Sequence, residues 1–190
     1  MAEHFGDRWR DDLQTHLFVQ DAEAGAPATN LLFGSDLVGH PGFGGAESLS
    51  GDSLEPVWTP DGSAVVITAT VNLDSAAHSQ TNYHLYKVSV ADRKVEALTE
   101  GDDWSCHQAL FSDDGKALYC QSEPANEHVY NLTGIARFDW SDGTLSGEPR
   151  FITESFDRSV SGMDISANGK TVYLTDSIKQ WLQQHVTYSN

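Results

Sequence analysis

Few residues in this chain stand at spacings that could do chemistry. A serine nucleophile needs a sharp turn of the form Gly-x-Ser-x-Gly, which lifts its oxygen clear of the backbone beside amide donors. No serine here is so flanked. The nearest match, Asp139-Trp140-Ser141-Asp142-Gly143, lacks the first glycine and reads as a hairpin turn. Gly39-His40-Pro41-Gly42-Phe43-Gly44-Gly45 is glycine-rich, but phosphate loops join a strand to a helix N-terminus. This run has loop and strand on its flanks and reads as a mobile connection. The eight histidines are scattered, and His78 and His84 share no helix-face spacing, so no metal site is expected. Asp102-Asp103 and Asp113-Asp114 lie where aspartate caps turn amides, which explains them better than a calcium loop does. No cofactor is implied. Asn131-Leu132-Thr133 has the glycosylation pattern, which matters only in a glycosylating pathway.

Cys106 and Cys120 are too few for a disulfide scaffold and fit neither a C-x-x-C nor a zinc spacing. They flank a hairpin turning at 112–116 and fall near each other, diagonal rather than opposite. A bond between them is open, but two reduced, half-buried thiols are the expected state.

Charge removes whole classes. Among 190 residues, 28 are acidic and 11 basic, for a net charge of −17. Such a surface repels phosphate backbones and anionic lipid, so neither nucleic acid nor a membrane surface is an expected partner. No apolar run approaches the ~18 residues of a spanning helix, and the first residues lack the basic and apolar regions of a signal peptide.

The elements that must position any site come from a repeat. Glu55–Ile67, Gln108–Cys120 and Gly162–Leu174 align without gaps, and their turn glycines Gly62, Gly115 and Gly169 lie 53 and 54 residues apart. Each copy reads as a strand ending in Trp58, Phe111 or Ile165, then a Ser/Thr-x-Asp/Asn-Gly turn, then a second apolar strand. Two further strands complete each copy, and Leu98-Thr99-Glu100 recurs as Ile152-Thr153-Glu154. Four strands per ~53 residues predict an all-β fold, a partial β-propeller of about three blades. The expected division is a half-blade at 9–36, a long loop at 37–54, blades at 55–100 and 105–154, a half-blade at 160–177, and a tail at 178–190. Trp58, Phe111, Ile165, Tyr119 and Tyr173 are expected between blades. Because both ends fall inside blades, the chain reads as part of a longer protein. Its complementary half-blades would let two copies meet head to tail as a homodimer.

The turn pattern ahead of an apolar strand resembles the propeller repeat of TolB-like proteins. Over Trp9 to Asp176 the order of His16-Leu17-Phe18-Val19, Thr81–Tyr86, Leu98-Thr99, Phe111–Lys116 and Ser155-Phe156-Asp157-Arg158-Ser159-Val160 resembles the propeller of the prolyl oligopeptidase family, in its dipeptidyl-peptidase V and acylaminoacyl-peptidase branch. The resemblance implies a parent serine peptidase with an α/β-hydrolase domain carrying a Ser-Asp-His triad. No catalytic residue carries over to this chain. The implied function is a non-catalytic propeller segment that gates substrate access and packs on the hydrolase domain, with peptides as the parent's substrates. The alternative is a TolB-like scaffold for protein partners. Chemistry in the propeller's own funnel would need converging carboxylates or histidines, and the first strands offer only Glu55 and Asp164. In related enzymes, propeller charges reach toward substrate or hold the domains together. Asp157 and Arg158 are the residues placed for that, although a buried charge pair inside the blade is the expected reading. Related bacterial proteins occupy both cytoplasm and periplasm, so the compartment stays open.

Overall fold

The computed structural model describes residues 14–48, 51–75, 80–126, 131–167 and 169–176. It is a nearly all-β chain arranged as a partial propeller. Two complete four-stranded antiparallel sheets carry the repeat. The first runs in chain order β5 (Val57–Trp58), β6 (Ala64–Ala69), β7 (His84–Ser89) and β8 (Val95–Ala97). The second contains β9 (Trp104–Phe111), β10 (Ala117–Pro124), β11 (Gly134–Ser141) and β12 (Thr144–Phe151) in the same meander. Two-stranded sheets stand before and after them: β1 (Phe18–Val19) with β2 (Thr29–Asn30), and β13 (Gly162–Ile165) with β14 (Val172–Thr175).

Tight turns set the register. In the first blade the Thr59 hydroxyl donates to Asp61 Oδ1 at 2.7 Å, and the Asp61 carboxylate accepts the Ser63 amide at 3.1 Å. Ser112, Asp114 and Lys116 repeat the pattern at 2.7 and 3.1 Å. These bonds hold both aspartates below the usual carboxylate pKa, led by the Thr59 and Ser112 hydroxyls respectively. In the third copy the Thr171 amide donates to Ser166 Oγ at 3.0 Å; Asn168 lies outside the described residues.

The blades stack face to face. The β6 run Ala-Val-Val-Ile-Thr-Ala is buried at every position, as a strand covered on both faces must be. Val65, Ile67 and Val88 pack toward Leu17, Leu31 and Leu32 of the N-terminal sheet. Val66 and Leu85 on the opposite face meet Leu118, Cys120 and Trp140 of the second blade. Tyr119 and Ile135 then meet Met163, Val172 and Leu174 of the third.

Four expectations are corrected here. Cys106 and Cys120 form a disulfide, with Cα atoms 5.7 Å apart. The reason is a bulge: His107 pairs with Gln121 and Leu110 with Tyr119, so two residues of β9 oppose Cys120 alone. Gln108 takes φ +51° there. An unbulged ladder would have turned the two cysteines to opposite faces of the sheet.

Trp58 and Tyr173 are exposed, at 51% and 62%, whereas Tyr119 is buried and Phe111 and Ile165 are half-buried against their clusters. Trp58 is paired with Val65 and shares its face toward the N-terminal sheet, which among the described residues has only β1 and β2 and covers Val65 but not Trp58. Tyr173 alternates with Val172 and Leu174, which pack toward the second blade, so its ring points the other way.

The 37–54 segment is structured rather than a plain loop. A short helix α1 (Asp36–Gly39) is capped by Ser35, and β3 (Ala46–Ser48) pairs with β4 (Gly51–Ser53). Nor is the glycine run within it a free connection. Gly42 and Gly44 bridge to Asn72 and Thr70, and Phe43 is buried. Glycine is required for that approach, since a Cβ on Gly45 would sit 2.5 Å from the Ser53 carbonyl oxygen and one on Gly42 closer still to Val71.

Candidate functional site: the Arg158 corner and its cleft

The chain leaves the second blade through Thr153 and enters the third at Val160, and both ends of that passage are pinned. Thr153 Oγ1 accepts the Ile135 amide at 2.8 Å, and the Val160 amide donates to the Thr133 carbonyl at 2.8 Å. Ser159 Oγ accepts the Thr133 amide at 3.3 Å. The preceding repeat does the same with Thr99, Cys106 and Ser105, where the Tyr83 amide donates to Ser105 Oγ at 2.8 Å. Matching Ser159 to Ser105 puts Arg158 in the frame position of Trp104.

Arg158 and Trp104 line one cleft of about 460 Å³. It opens at the end of the second blade away from the Asp-Gly turn, where β9 and β11 begin and β10 and β12 finish. Its apolar wall holds Trp104, Leu132, Phe151 and Phe156. Trp104 is fixed from two sides: its ring stacks on Phe138 with centroids 5.8 Å apart and meets Phe151 edge-on at 6.1 Å. Leu132 and Phe151 remain 55% and 41% exposed. Asp103 and Glu154 supply carboxylates to the lining.

The expected buried charge pair is not found. Asp157 is 95% exposed and lies 3.7 Å from Arg158 Nε. A half-exposed Arg158 also reaches Asp176, 3.6 Å from Nη1. Within the 155–158 segment Phe156 packs on the cluster between the second and third sheets, while Arg158 lines the cleft. Arg158 is thus half-exposed at the cleft, and Asp157 flanks it from solvent.

Other sequence candidates do not converge. Glu55 Oε2 accepts the Gln108 amide of the second blade at 2.7 Å, and Asp164 Oδ1 accepts the Ile165 amide at 2.8 Å, so the two carboxylates serve backbone. His84 is half-buried at the start of β7; burial lowers its pKa, against the opposing pull of Asp102 and Glu100. His78 lies outside the described residues. Among the described residues no three His, Cys, Asp or Glu side chains gather at metal-binding distance. Ser141 sits at the β11–β12 hairpin, whose turn residues Asp142 and Gly143 both take positive φ. The Asn131 amide nitrogen donates to the Pro124 carbonyl at 3.0 Å.

Sequence reasoning missed the cleft itself. Its signal was available in the repeat: Phe151 occupies the frame position of Ala97, and Phe151-Ile152 closes the run Ser146 to Arg150. Compared with known protein families and with curated proteins, the chain gives no match.

Proposed function

We propose that the chain is the non-catalytic propeller segment of a serine peptidase of the prolyl oligopeptidase family, of the dipeptidyl-peptidase V and acylaminoacyl-peptidase type. Its task there is to restrict access by substrate size and to pack on an α/β-hydrolase domain carried by the same protein. The observation behind this reading is the ordered motif set over Trp9 to Asp176, with Asp157-Arg158-Ser159-Val160 ahead of the third blade. A half-exposed Arg158 beside an open apolar wall supports it, because a domain or substrate contact needs such a surface.

Residues 1–190 lack the elbow that would expose a nucleophile, so the chain alone should not hydrolyse aminoacyl or acylaminoacyl amides. The complete gene product should do so. Assaying both with aminoacyl- and acetyl-aminoacyl-p-nitroanilides tests the reading. Turnover by the 190-residue chain that a serine-directed reagent abolishes, or none by the complete product, overturns it. The second outcome would favour the scaffold reading, which the exposed Leu132, Phe151 and Ile152 also suit.

A further inference from the structure

We propose that the cleft at the end of the second blade binds a peptide segment presenting an aromatic or branched aliphatic side chain between basic residues. This goes beyond the peptidase reading and holds whether or not a hydrolase domain accompanies the propeller. Three observations carry it. The volume of about 460 Å³ lies within the range of ligand clefts, roughly 300–1,000 Å³, and suits one or two large side chains. The wall is preorganised, because Phe138 and Phe151 clamp the Trp104 ring while Leu132 and Phe151 keep exposed apolar surface. An entering side chain therefore meets rigid aromatic faces and orders little on binding.

Charge selects the flanks. Asp103 and Glu154 line the cleft, and neither carboxylate has an ion-pair partner among the described residues. The one guanidinium there, Arg158, already lies within 4 Å of Asp157 and Asp176. Two carboxylates thus line the cleft beside one cation that two others already neighbour, on a chain of net charge −17. Lysine or arginine beside the buried side chain would be attracted. Acidic flanks would be repelled. The alternative occupant, a second copy of this chain, would bring its own −17 to the contact.

Fluorescence anisotropy with labelled Lys-Leu-Phe-Lys, Glu-Leu-Phe-Glu and Lys-Gly-Ser-Lys peptides, each capped at both ends, tests the site on the 190-residue protein. The basic apolar peptide should bind about tenfold or more tighter than either control, and 0.5 M salt should weaken it several-fold. Phe151→Ser and Leu132→Ser should each weaken it about fivefold or more while leaving the circular dichroism spectrum intact. Trp58→Ser, which removes an exposed aromatic from the other blade, should leave binding unchanged. Equal affinity for the acidic and basic apolar peptides, or indifference to both cleft variants, would overturn the proposal. So would a dimer that dissociates on Phe151→Ser, since the cleft would then belong to a second copy.

Discussion

The two complete blades share one frame and spend it differently. In the second, all four strands run eight residues. In the first, the strands run two, six, six and three. The frame hydrogen bonds through Thr99 and Thr153, and through Ser105 and Ser159, recur in both junctions. Even the strain recurs, since Glu55 and Gln108, 53 residues apart, both take positive φ. The first blade gains its remaining cover from the bridges to Gly42 and Gly44, and on the side facing the second blade an ion pair: Lys87 Nζ lies 2.8 Å from Glu96 and donates to the Gly143 carbonyl of the second blade at 2.8 Å. The second is held internally by a disulfide and by paired aromatics, Phe111 against Trp140 at 4.9 Å. A repeat therefore fixes the backbone path, while each blade's own side chains decide where stability and open surface lie.

That contrast can be broken at its strongest point with two tryptophans. Trp140→Ala removes a buried ring from the interface between blades and should cost about 3–5 kcal/mol, whereas Trp58→Ala, at an exposed site, should cost under about 1 kcal/mol. Urea denaturation ranks them, and a larger loss at Trp58 would reverse the comparison.

Next comes the disulfide, which belongs to the second blade alone. Replacing Cys106 and Cys120 with alanine should cost about 3 kcal/mol, the order expected for closing a loop of 14 residues. The native chain should show no free thiol until it is unfolded and reduced.

The smallest effect sharpens the first blade's side. Hydrogen bonds from Lys87 and then Lys94 hold the Glu96 carboxyl at about 2, below its ordinary 4.5. With the folded pKa depressed, the resulting stability is present above about 4.5 and is lost as the pH falls toward 2. On an exposed hairpin this is worth less than about 1 kcal/mol. Carboxyl titration followed by NMR should place Glu96 near 2 in the native protein and move it toward 4.5 in Lys87→Met.

Much of this was legible in the residues, and the failures have physical causes. The Asp61-Gly62 and Asp114-Gly115 turns and the apolar strands after them are local features, and the structure places them where the pattern does. Side-chain parity is not local. The bulge at Gln108 shifted Cys106 onto the face of Cys120, and nothing in the spacing of the cysteines reveals a bulge. Trp58 and Tyr173 have the composition of core, yet core requires a neighbour on the right face. The cleft escaped because it is assembled from four strand ends that the sequence separates by up to 47 residues, and only a comparison of frame positions, Arg158 with Trp104 and Phe151 with Ala97, would have drawn attention to it.

The central claim is that this propeller serves a hydrolase without performing the hydrolysis. Labelling the complete gene product with a fluorophosphonate and mapping the modified peptide tests it in one measurement. The account predicts a single labelled serine outside residues 1–190. A label on any serine within them, or no labelled serine at all, would contradict it.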